Sequence, residues 1–330
     1  MGRLIDGTWR TDITNEDTAE IDYNETAFRN KLQEGGRHPP DPERYHLYIS
    51  RACPWAHGAV LTRTLLGLDD AVTMDVVDPY RAEDGWQFTP TKAGCTSDTV
   101  NGSDYLREVY TTADSSYTGR VSVPVLWDKR EETIVNEESD EIMRTLAVAF
   151  TDYDGVDLYP ADRRGEIDEV IEAIYAPINK GVYRAGFAST QDEYETAVRG
   201  IFEALDRWES ILSDRRFLLE DLTLADLRLF PTLVRFDAVY YTHFKTNLRR
   251  ISDYPNLRAY TRDIYQLPGV AETVNMDHIK EHYYRSHGEI NPGGIVPTGP
   301  ELDFERSHNR NTLGGRVPDE LGETPDGESD

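Results

Sequence analysis

The chain has 330 residues, of which 61 are acidic and 35 are lysine or arginine, for a formal net charge of −26. That length accommodates two domains with their own cores. The charge excludes general binding to nucleic-acid phosphates or an anionic membrane surface, both of which demand cations. Two cysteines, Cys53 and Cys95, make no disulfide framework, no apolar run reaches the length of a membrane span, and Met1 to Glu20 carries no signal-peptide core. The chain therefore reads as cytoplasmic. Its acid is spread from end to end, as in surfaces that stay hydrated in strong salt, so a halophilic source is expected.

In chain order, residues 1–43 read as an irregular arm, broken by Gly35-Gly36 and by Pro39, Pro40 and Pro42. Tyr45 to Ile49 reads as a strand, and Pro54 suits the first turn of a helix whose apolar face is Ala59, Val60, Leu61, Leu65 and Leu66. Val72 to Val77 alternates as a second strand. Residues 79–118 are long and polar, and a loop of that size is functional or disordered. Val121 to Trp127 resumes strand character, with Pro124 calling for an edge, a bulge or a cis bond. A short strand at Glu132–Val135 and a helix at Glu138–Phe150 follow. This β-α-β, break, β-β-α order matches a thioredoxin-like domain over 44–155. From 156 to 299 the pattern is all-helical, with helical periodicity over 165–178, 191–213, 223–245 and 255–266. Thr223 and Asp226 have the spacing of a capping box. Residues 300–330 read as a loosely held acidic tail. The fold class expected is thus α/β followed by all-α.

Cys53 lies where the first strand gives way to the first helix. A thiol at the positive end of a helix is favoured as thiolate and becomes a nucleophile. The residue three positions on is Ala56, so no neighbouring cysteine can resolve a disulfide at Cys53, and an external thiol is the second reactant expected.

Cys53-Pro54-Trp55-Ala56-His57, Val123-Pro124-Val125-Leu126-Trp127-Asp128, Asn136-Glu137-Glu138-Ser139, Gly181 to Phe187, Arg235 to Tyr240 and His278 to Tyr284 stand in order along the chain. Together they resemble the glutathionyl-hydroquinone reductases, the Xi class of the glutathione transferases. The resemblance implies reduction of a glutathionyl-hydroquinone through a Cys53 mixed disulfide that a second small thiol resolves, with no tightly bound cofactor or metal. It implies that Trp86 covers the thiol peptide, that Arg120 lies near it, and that Val123, before a cis Pro124, offers backbone hydrogen bonds to its cysteinyl part. Glu138 and Ser139 would hold the γ-glutamyl end at a helix start. Tyr183 and Tyr284 would line the quinone site between domains and donate to a hydroquinone oxygen. The resemblance also implies a homodimer. The co-substrate implied is glutathione or, if the acidity marks a halophilic archaeon, γ-glutamylcysteine, which lacks the glycine.

Other readings stand beside these. A general glutathione-type thiol transferase or dehydroascorbate reductase would use Cys53 in the same way, and a non-enzymatic binding module would not use it. A conjugating transferase needs a serine or tyrosine that activates the thiol without competing as a nucleophile. Cys95 is a spectator by default, its sharper role being to resolve Cys53. His57 either tunes Cys53 or packs. His278, His282 and His287 make an incomplete zinc pattern. Tyr240 and Tyr241 either reach the cleft or pack.

Overall fold

The computed structural model describes residues 2–12, 27–150 and 157–317. They form two compact units. The first takes Met1–Arg63, Gly67–Phe150 and Asn275–Ser286; the second takes Thr64–Leu66, Thr151–Val274 and His287–Asp330.

The first unit is built on a four-stranded sheet of order β4-β3-β5-β6, with β3 Tyr45–Ile49, β4 Val72–Val76, β5 Val125–Asp128 and β6 Thr133–Asn136. β3 runs parallel to β4 and antiparallel to β5, and β5 runs antiparallel to β6. The parallel pair needs a crossover, which α1 Pro54–Leu65 supplies. α2 Leu106–Ala113 and α3 Ser139–Ala149 lie in the unit's second stretch. β3 and β5 are buried at every position, as central strands covered on both faces must be. This is the thioredoxin-like arrangement expected.

Both outer strands of this sheet are sealed, which removes exposed edges open to stray pairing. Along β6, the Asn30 amide donates to Val135 O at 2.9 Å, Glu137 N donates to Phe28 O, and Asn136 Nδ2 donates to Asn30 O. His38 and Arg44 both bond the buried Asp128, whose carboxyl stays at about 2 because these bonds outweigh the raising effect of burial. Residues 27–43 of the segment expected to be an irregular arm are therefore stitched into the unit. The segment also opens with a β-hairpin, β1 Arg3–Ile5 and β2 Thr8–Arg10. Its turn places Asp6 and Gly7 at φ of 46° and 72°, and a side chain at Gly7 would strike the Ser115 carbonyl.

The polar stretch 79–118 is ordered by buried aspartates. Asp75 accepts from the amide and hydroxyl of Thr99. Asp78 accepts from Tyr80 N, Thr89 Oγ1 and Lys92 Nζ. Asp98 accepts from Tyr48 Oη and from the amides of Val100, Asn101 and Ser103. Short side chains that bond the backbone two or three residues on give such a loop its fixed shape. Thr96 N donates to Val76 O, so the same loop seals the β4 edge.

The second unit is helical: α4 Arg164–Ile174, α5 Gly181–Gly186, α6 Gln191–Ile211, α7 Leu224–Arg235, α8 Pro255–Tyr265 and α9 Val270–Thr273. Single π-helical turns follow α4 (Tyr175–Asn179) and α7 (Phe236–Tyr240). α7 is buried along its whole length, which makes it the unit's core. At its start Thr223 Oγ1 accepts from Ala225 N, and Asp226 reaches back to Thr223 N at 2.9 Å. Asp226 also accepts from Leu218 N and Tyr260 Oη, so the box ties three segments together.

Residues 300–317 do not behave as the loose tail their composition predicts. Arg310 is 1% exposed and donates to the carbonyls of Leu212, Arg215 and Arg216, where α6 ends. Asp303 pairs with Arg258 and Arg262 of α8, and Gln266 Nε2 donates to the carbonyls of Phe304 and Arg306. Charged and polar groups hold this segment, and hydrophobicity gave no sign of them. Residues 318–330 of the expected tail lie outside the described residues.

The last helix, α10 Met276–Ser286, belongs to the first unit although it follows the helical region in sequence.

Candidate active site

Cys53 immediately precedes α1, and its carbonyl accepts from His57 N at 3.0 Å. Its own amide bonds Ser50 O at 3.1 Å, which closes the turn out of β3. Pro54 occupies the first helical position, where a missing N–H leaves nothing unsatisfied. Cys53 as a residue is 9% exposed. Sγ lies 3.6 Å from Val123 O, and the Val123–Pro124 bond is cis. The sulfur thus sits at a helix N-terminus, backed by the main chain that precedes β5.

Tyr110 of α2, fully buried, connects this position to the start of α3. Its hydroxyl donates to Glu137 Oε2 at 2.8 Å, lies 3.1 Å from Ser122 O and accepts from Ser122 N at 3.3 Å. Ser122 precedes Val123, and Glu137 precedes Glu138 and Ser139, so one hydroxyl joins the two backbone segments. Glu138 caps α3 from extended backbone and bonds Asn136 Oδ1 through its amide at 2.7 Å. Ser139, the first helical residue, is 7% exposed. The first turn of such a helix presents amides that have no acceptor within the helix. Glu137 itself is buried. Burial pushes its carboxyl up to about 6, against the lowering by Tyr110 and the Phe28 and Ala27 amides.

Trp86 is joined to the opposite end of α2, where its carbonyl accepts from Leu106 N at 2.9 Å. The indole is buried, and its Nε1–H has no acceptor among the described residues. The ring stacks on His282 of α10, with centroids 5.1 Å apart and planes at 19°. The Arg81 guanidinium also lies over it, at 5.4 Å. Arg120 has an exposed side chain, and its carbonyl accepts from Tyr117 Oη at 2.9 Å. Tyr117 in turn packs on Tyr110, with centroids 5.0 Å apart. Tyr284 is buried in α10.

In the second unit, half-buried Tyr183 of α5 meets Phe244 edge-on at 5.4 Å and Tyr240 at 6.1 Å. Tyr240 is fully buried and stacks on Phe244, so it packs. A side chain at Gly186 would drive into the Phe244 ring, which keeps this cluster close to α5.

Sequence comparisons decide the family. Residues 52–149 match the model of the glutathione S-transferase N-terminal domain, and residues 191–263 match that of the C-terminal domain. The chain is 46% identical to the glutathionyl-hydroquinone reductase YqjG of Escherichia coli, over 96% of this chain and all of the relative. It is 48% identical to the glutathionyl-hydroquinone reductase PcpF of Sphingobium chlorophenolicum, over 91% and 96% of the two chains. The chain belongs to the glutathionyl-hydroquinone reductases, the Xi class of glutathione transferases. A Xi-class structure from Natrialba magadii superposes with a TM-score of 0.91 at 53% identity, covering 96% of this chain and 98% of that one. The glutathione-bound structure of YqjG superposes at 0.85, covering 93% and 99%.

In this enzyme family the reading as a non-enzymatic binding module has no place. The zinc pattern also dissolves. Among the described residues no group of three or more His, Cys, Asp or Glu side chains is placed to hold a metal ion. His278 Nε2 instead bonds Ala93 O at 2.8 Å, and His282 Nδ1 bonds Pro79 O at 2.7 Å. His287 lies in the second unit, beside His243. Burial lowers the pKa of His278 and raises that of Cys95, whose sulfur faces Val77 O at 3.7 Å. No described helix is long and apolar enough to cross a membrane.

The Tyr110 hydroxyl bond that joins Glu137 to the segment of Ser122 is not legible in sequence. Leu106, Val109 and Tyr110 share the apolar face of α2, yet one short helix within a polar stretch gives too brief a period to stand out.

Proposed function

We propose that Cys53 is the nucleophile in a two-step reduction of a glutathionyl-hydroquinone. In the first step the Cys53 thiolate attacks the sulfur of the conjugate. An S–S bond forms as the bond from sulfur to the ring carbon breaks. The electron pair and a proton go to that carbon, and the hydroquinone leaves. In the second step a small thiol, as thiolate, attacks the mixed disulfide, releases a disulfide of two small thiols, and returns Cys53. The substrate is reduced and two thiol peptides are oxidised, so no metal or flavin enters the balance.

The observation that carries this reading is Cys53 at the entrance to α1, 3.6 Å from Val123 O, in a chain that matches two glutathionyl-hydroquinone reductases nearly end to end. Val123 and Pro124 hold the cysteinyl part, Glu138 and Ser139 the γ-glutamyl part; Trp86 covers the bound peptide, and Arg120 lies near it. The buried Nε1–H of Trp86, which has no acceptor among the described residues, supports its place here, since a ligand acceptor would relieve a cost of about 1–3 kcal/mol. Tyr183 and Tyr284 donate to the aromatic half. The enzyme works as a homodimer, as the family resemblance implies, and in the cytoplasm, as its two unframed cysteines suggest. A net charge of −26 supports a salt-rich cell.

In this assignment the γ-glutamyl and cysteinyl parts carry the recognition, and γ-glutamylcysteine serves as the physiological thiol. Steady-state turnover with each thiol tests the assignment. The expected kcat/KM values lie within about tenfold of each other, roughly 1.4 kcal/mol. Turnover with glutathione alone, and none with γ-glutamylcysteine, would overturn it.

A further inference from the structure

α10 is far from the Trp86 loop in sequence but clamps it in space. Asn275 starts the helix by accepting from His278 N through its side chain, at 2.9 Å, and from Ile279 N through its carbonyl. From there His278, His282 and Ser286 recur every four residues and so share one face. His278 Nε2 bonds Ala93 O at 2.8 Å, His282 Nδ1 bonds Pro79 O at 2.7 Å, and Ser286 Oγ accepts from Arg81 N at 2.9 Å. Glu281, one position before His282, takes Lys92 Nζ at 3.0 Å. Pro79, Arg81, Lys92 and Ala93 bracket Trp86 on both sides in sequence, so the loop is pinned before and after its tryptophan.

Within this clamp His282 makes two contacts that fix direction. A carbonyl oxygen can only accept, so Nδ1 carries the proton that Pro79 O receives. That bond sets the plane of the imidazole. The ring then lies nearly parallel to the Trp86 indole, 5.1 Å away, with both residues buried. A parallel stack between two buried rings restricts the indole's tilt about its side-chain torsions. The indole ends with a buried Nε1–H that no described residue accepts. Such a donor is costly unless something else takes it.

We infer that His282 is a positioning residue for thiol binding: held by Pro79 O, it stacks on Trp86 and fixes the indole so that its Nε1–H is presented to the thiol peptide. This rests on the proposed role of Trp86 and adds the group that orients it. The last helix of the chain therefore helps set affinity for the small thiol.

A double-mutant cycle read by calorimetric titration of the full-length enzyme with glutathione tests the inference. Trp86→Ala and His282→Ala should each weaken binding about tenfold, and the double variant should bind no more weakly than Trp86→Ala alone, because His282 acts only through the indole. His282→Asn keeps a donor for Pro79 O, and His282→Phe keeps a ring face. Each should recover part of the loss, and they carry the test if the alanine variant fails to fold. In turnover the His282 variants should raise KM for the thiol more than they lower kcat, a split that general loosening of the fold would not produce. If Trp86→Ala weakens binding but His282→Ala does not, or if the two losses add, the positioning role is overturned while the role of Trp86 stands. If Trp86→Ala binds like the parent, the role of Trp86 falls and the inference falls with it.

Discussion

Glu137 shows what a single buried carboxyl does in this fold. It carries the Tyr110 hydroxyl that joins the backbone before β5 to the start of α3. Its folded-state value of about 6 lies above the ordinary 4.5, chiefly through burial. A raised carboxyl contributes stability while it is neutral, and that contribution is lost as pH rises from 4.5 through 6. The shift corresponds to about 2 kcal/mol of cost at pH 8. Glu137→Gln keeps an acceptor for Tyr110 without the charge. It should raise the melting temperature at pH 8, and the gain should fade below about pH 4.5 as the parent residue becomes neutral. Thermal melts across that range check the sign; a gain that persisted in acid would contradict it.

Among the elements, those with a long period were legible in sequence and those held by polar contacts were not. β3, α1 and α3 announce themselves by apolar runs at their own spacing, and Cys53-Pro54 marks a helix start by chemistry. Thr223 and Asp226 announced α7. The β1–β2 hairpin was also readable, since Asp6-Gly7 is a turn signal, but it sat in a stretch judged by its breakers. The order of 79–118 rests on Asp75 in β4, on Asp78 just after it and on Asp98 within the loop, and nothing in sequence sets these three apart from the chain's other acids. The attachment of 300–317 is equally hidden, because it depends on which carbonyls Arg310 meets. Arg310→Ala leaves carbonyls at the end of α6 without that donor. It should cost roughly 2–3 kcal/mol, measurable by urea titration, and it should open 300–317 to protease. Parent-like stability and protease resistance would mean that the segment is not held by this residue.

For the whole molecule, the family was legible from six motifs standing in order along the chain, Cys53-Pro54 among them, and the relatives bear it out. The parts that escaped sequence are those that bring distant segments to the thiol site: Tyr110 between Ser122 and Glu137, and α10 returning to the first unit to pin the loop of Trp86. No local pattern encodes either. If Cys53 carries the thiol peptide between the two half-reactions, intact-protein mass spectrometry will catch it there. Enzyme mixed with a glutathionyl-hydroquinone and no second thiol should gain one thiol-peptide adduct, mapped to Cys53. Added γ-glutamylcysteine should discharge it, and Cys53→Ser should form none. Hydroquinone release without an adduct, or parent-like turnover by Cys53→Ser, would contradict the account.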